Sequence, residues 1–77
     1  MKQLVEFSEI EDGKAELTLM AYALSKEEQK EALEELRTLK AHITAIEADV
    51  VNAKVTADYQ EVVAVMNELE KKGWVWE

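Results

Sequence analysis

The chain has no cysteine, no proline and two glycines among its 77 residues. Without cysteine there are no disulfides, thiolate metal sites or thiol nucleophiles. The single histidine, His42, leaves carboxylates as the only other strong metal ligands. Without proline or low-complexity stretches no linker is visible, and the length suits one domain. No apolar run approaches the ~20 residues of a membrane helix. The opening Met1-Lys2-Gln3-Leu4-Val5-Glu6 lacks the apolar centre of a signal peptide. The expectation is therefore a cytoplasmic protein without a membrane partner. A domain this small buries only ~60% of its unfolded surface. With disulfides excluded and metal ligands scarce, association with a second subunit is the expected support.

Positive charge is also scarce: nine basic against seventeen acidic residues give a formal charge of −8. A field of that sign repels nucleic acid and anionic membrane, so direct binding to either is not expected. It suits a basic protein partner, or it serves solubility alone.

Two periodicities fill the chain. From Leu4 to Leu24 apolar residues recur roughly every second position, interrupted by Glu11-Asp12-Gly13-Lys14. That pattern predicts a β-hairpin over 1–24 with Asp-Gly in its turn. A bulged turn with Gly13 left-handed sets Phe7 opposite Leu17 and Val5 opposite Leu19, giving one apolar and one polar face. Ser25 and Glu28 then form a capping box. The Glu-, Lys-, Leu- and Ala-rich stretch after it reads as one long helix over 25–54. A second, shorter helix over 57–72, capped by Thr56 or Asp58 and stopped by Gly73, folds back on the first. Residues 73–77, with Trp74 and Trp76, form an apolar tail or a short third strand. The predicted class is α+β. A competing parse reads part of 43–56, rich in valine and threonine, as a strand in a β-α-β-α-β order.

The long helix is favoured by spacing. Ala32, Leu36, Leu39, Ile43, Ile46, Val50 and Ala53 fall at intervals of 4, 3, 4, 3, 4 and 3, an a/d heptad seam. Flanking pairs Glu35 with Lys40, His42 with Glu47, and Asp49 with Lys54 would be complementary across a parallel dimer. A second apolar stripe, Ala41, Ala45, Ala48, Val51 and Val55, would receive the second helix and leave the seam free. The expected dimer interface is Leu36, Leu39, Ile43, Ile46 and Val50, with Glu35 and Lys40 beside them. The alternative is that the seam packs inside the chain.

No phosphate-binding glycine loop, zinc-ligand pair or nucleophile elbow occurs. Glu27, Glu28, Glu31, Glu34 and Glu35 alternate with Lys26, Lys30 and Arg37 at helical spacing, which describes a solvated, salt-bridged face. The reading is of a non-enzymatic protein with no cofactor: a small acidic homodimeric adaptor or regulator. The alternative is a nucleic-acid-mimicking inhibitor of a basic DNA- or RNA-binding protein. Besides a second copy of itself, its expected partner is an unidentified, basic protein. Candidate contacts are Glu9, Glu11, Asp12 and Glu16 of the hairpin, and Trp74 and Trp76. The two tryptophans have a second reading, as core residues beneath the hairpin.

Overall fold

The computed structural model describes residues 1–39, 41–47 and 50–77. Its elements run β1 (Lys2–Glu11), β2 (Lys14–Ala21), α1 (Lys26–Thr38), β3 (His42–Glu47), β4 (Val50–Asp58), α2 (Tyr59–Lys71) and β5 (Val75–Trp76). The five strands form one mixed sheet in the order β3-β4-β2-β1-β5. Each half is a hairpin followed by a helix of 13 residues. The inner strands β2 and β4 pair antiparallel at the centre, from Lys14 opposite Asp58 to Ala21 opposite Val51. β5 joins the far edge parallel to β1, at Gln3 and Leu4. Among the described residues no helix is long and apolar enough to cross a membrane.

The long heptad helix is a correction. α1 stops at Thr38 with Leu39 as its C-cap, and the segment expected to continue it folds into β3 and β4 instead. Residues 43–56 are dense in β-branched side chains, which lose rotamer freedom in a helix and pack well on a pleated surface. β4 carries the strand signal: Val51, Ala53 and Val55 are buried while Lys54 and Thr56 are exposed. Two supposed seam residues, Ile43 and Ala53, are cross-strand partners. The second helix does not fold back on a long first helix; it packs over β2 and β4. Ala48, of the second apolar stripe, and Asp49 and Lys40, of the flanking pairs, lie outside the described residues. Val51 and Val55, also of that stripe, belong to the core of the sheet.

The first hairpin pairs Phe7 with Leu17 and Ser8 with Glu16, the register that separates apolar from polar side chains, and Gly13 has φ +71°. Farther along, Leu4 rather than Val5 faces Leu19, because a bulge at Val5 shifts the register. That bulge turns both Leu4 and Phe7 toward the helices although they are three residues apart. An irregularity in β3, between Ile43 and Ala45, does the same for Ile43 and Ile46. On an unbroken strand an interval of three would send the two side chains to opposite faces.

The core lies between the sheet and the two helices. Leu4, Leu17, Leu19, Val51 and Val55 meet Ala32 and Leu36 of α1, Val62 and Leu69 of α2, and Trp74. Phe7 stands edge-on to Tyr59, with ring centroids 5.5 Å apart at 78°, a favoured aromatic geometry. The capping box of α1 forms, Ser25 Oγ accepting from the Glu28 amide at 3.1 Å and Glu28 Oε1 from the Ser25 amide at 3.1 Å. Gly73, with φ +96°, turns the chain after α2 and sends Trp74 into the core.

Candidate interaction surfaces

Among the described residues the helices lie on one face of the sheet, and hydrophilic side chains collect on the other. There Glu6, Ser8, Glu16, Thr18, Lys54 and Thr56 occupy facing positions across β1, β2 and β4. Glu16 is half-buried on this face, with Lys54 Nζ at 3.5 Å from its carboxylate. It is therefore set apart from the other acids expected beside it.

Glu9, Glu11 and Asp12 are exposed at the end of the first hairpin. Between them the bulged Ile10 is also exposed, at 46%. β5 covers the outer edge of β1 only at Gln3 and Leu4. Beyond that, among the described residues, Glu6–Glu11 is a strand edge without a partner. An open edge is a template for another strand, and charged side chains are one means of discouraging unwanted pairing. Edge protection therefore accounts for the carboxylates, but not for an exposed isoleucine among them.

The two tryptophans separate. Trp74 is 2% exposed, and its indole Nε1 donates to Glu35 Oε2 at 3.0 Å. Lys2 closes the cluster: its Nζ is 3.2 Å from Glu35 Oε1, donates to the Lys72 carbonyl at 3.0 Å, and stands 5.7 Å from the Trp74 ring centroid. Glu35, expected to flank an interface, thus ties β1, α1 and the C-terminal segment together. Trp76 is 44% exposed on the two-residue edge strand β5.

The expected seam is dispersed. Leu36 is core, and Leu39 and Ile43 are half-buried against it. Val50 is half-buried at the start of β4, and Ile46 is 48% exposed on β3. Ile46 instead forms one wall of a cleft of about 750 Å³ between β3 and α1, whose lining includes Lys26, Lys30, Leu33, Glu34 and Arg37. The reading from the sequence did not find this cleft, because the cations were assigned to a solvated face. The missed signal is the spacing of Lys26, Lys30, Leu33 and Arg37, which puts cations and a leucine on one helical stripe.

Among the described residues no group of three or more metal-ligating side chains converges. Hydrogen bonds from the Ser25 backbone amide, then the Ser25 hydroxyl, hold the Glu28 carboxyl below the usual range. That shift belongs to the helix cap. No protein-family model, curated protein or solved structure matches the chain.

Proposed function

We propose that this protein acts by binding other protein chains, as a small acidic homodimeric adaptor or regulator that presents the end of its first hairpin to a basic surface. One observation carries the reading. The unpartnered edge of β1, the carboxylates of Glu9, Glu11 and Asp12, and the exposed Ile10 coincide on one projection. Strand edge, charge and an apolar anchor are the components of recognition by strand addition. Trp76, exposed on the neighbouring edge strand, extends the same side and is a residue type favoured at binding hot spots.

The test is a nuclear magnetic resonance titration of the labelled protein with a basic, strand-forming peptide of alternating lysine and valine. Shift changes should concentrate at Glu6–Glu11 and disappear in a Glu9→Lys/Glu11→Lys variant. Changes spread evenly over the surface, or none, would overturn the reading.

The same carboxylates support a second reading, mimicry of nucleic acid. A mimic should displace duplex DNA from a basic DNA-binding domain, with a steep loss of affinity as salt rises. Strand addition anchored by Ile10 should depend on salt only moderately.

A further inference from the structure

The cleft between α1 and β3 is an anomaly on a protein of charge −8. Among the described side chains, Lys26, Lys30 and Arg37 line it against one carboxylate, Glu34. None of the three cations has an ion-pair partner among the described side chains. Leu33 and Ile46 give it an apolar wall on each side, from α1 and from β3. Its best occupant is a short segment with carboxylates flanking one branched apolar side chain. This chain carries such a segment in Glu9-Ile10-Glu11-Asp12, exposed throughout.

We infer that the hairpin end of one copy seats in the α1/β3 cleft of a second copy, and that two copies do so reciprocally. Ile10 would enter between Leu33 and Ile46, with Glu9, Glu11 and Asp12 facing Lys26, Lys30 and Arg37. The inference rests on the homodimer reading above and names the contact that makes the dimer; the hairpin end then meets its basic surface on the second copy, and any other basic partner competes with that copy for it.

The register excludes the same contact within one chain. Ile46 pairs with Val51, and Val51 with Ala21, so the cleft's strand wall is at the Ala21 end of β2. The hairpin turn is at the Lys14 end. Seven residues of strand separate the two, roughly 23 Å at the usual rise. Two copies lying antiparallel bring each hairpin end beside the other's cleft, and the twofold arrangement forms both contacts and closes the assembly. Each contact joins charge of opposite sign around an apolar centre, the composition expected of a specific interface.

Sedimentation equilibrium of the full chain over a range of concentrations tests this. The expected wild-type mass is that of two chains. Ile10→Asp, on the hairpin, and Lys30→Glu with Arg37→Glu, in the cleft, should each raise the dissociation constant at least about tenfold, the effect of losing a hot spot. Circular dichroism should report an unchanged fold, since these side chains are outside the core. Reversing two cleft cations takes the formal charge from −8 to −12, which alone opposes association. Glu9→Lys with Glu11→Lys added to that variant restores −8 and reverses the sign on both sides. It should recover dimerisation to within about threefold of wild type. A wild-type dimer that all these variants leave intact overturns this contact while the homodimer reading stands. A wild-type monomer at every concentration overturns both. Growth beyond two chains overturns the reciprocal pair.

Discussion

Replacing Trp74 by phenylalanine should be costly in a way that replacing Trp76 is not. The indole Nε1 donates to the Glu35 carboxylate at 3.0 Å, and the ring is 2% exposed. A hydrogen bond to a charged acceptor contributes about 1.5–3 kcal/mol net. Glu35 keeps Lys2 at 3.2 Å and its side chain is 22% exposed, so the loss belongs near the lower limit. The smaller ring leaves a void that adds about 1 kcal/mol. Trp74→Phe should therefore destabilise by about 2–3 kcal/mol, against a total of about 4–12 kcal/mol for a domain of this length. The variant should fold, with a clearly lowered urea midpoint followed by far-ultraviolet circular dichroism. Trp76→Phe, at a site 44% exposed, should cost about 1 kcal/mol or less. Fluorescence adds an independent reading: Trp74→Phe leaves only the exposed indole and should shift native emission to the red, and Trp76→Phe should shift it to the blue. A double-mutant cycle with Glu35→Gln should yield a coupling of about 1 kcal/mol. Equal costs for the two tryptophans, or no coupling to Glu35, would refute the assignment of the Lys2–Glu35–Trp74 cluster as the tie between β1, α1 and the C-terminal segment.

Other consequences are open to similar measurements. Gly13 has φ +71° and open space where a Cβ would stand, so Gly13→Ala should cost about 1 kcal/mol through the backbone alone, and Gly13→Asn less. Ile43→Ala, at a half-buried site against the core, should cost about 2 kcal/mol in urea titration, whereas Ile46→Ala should stay within about 0.5 kcal/mol in dilute protein. A continuous coiled-coil seam would make these two losses alike. The Glu28 carboxyl is held below its unfolded value, so its contribution is present above the unfolded pKa and fades as pH falls through the folded one. Glu28→Gln should therefore reduce the slope of stability against pH across the acidic carboxylate range and leave the neutral-pH slope unchanged; an unaltered acid slope would count against the capping box.

Much of the local structure was legible. Asp12-Gly13 marked the first turn, the alternation from Phe7 to Leu17 gave its register, and Ser25 with Glu28 gave the start of α1. The second helix was expected over 57–72 and runs Tyr59–Lys71, starting after Asp58 and ending before Gly73. The end of α1 was not legible, because neither glycine nor proline marks it and Leu39 closes it in an unremarkable conformation. The intervals that suggested a heptad have two origins: Ala32, Leu36 and Leu39 follow α1 and its cap, and the others fall on strands. At Ile43 and Ile46 a strand irregularity lets residues three apart share one face, as another does at Leu4 and Phe7 outside the seam. A period read from sequence alone assigns that interval to a helix.

The candidate surfaces divide along the same line. Residue identity alone marked the acidic hairpin end, since carboxylates flanking a turn are exposed in nearly any fold. It could not separate Trp74 from Trp76, which depends on how far the turn at Gly73 swings the chain beneath the sheet. Nor could it gather the cleft, whose walls come from α1 and from β3. By itself the sequence determined what short-range chemistry decides: the turn at Asp12-Gly13, the cap at Ser25, the charge, and the absence of thiol chemistry. The tertiary structure decided everything that depends on residues distant along the chain. Whether residues 43–56 extend a helix or become strands rests on the partner β2 offers β4, and an isolated segment has no means of expressing that choice.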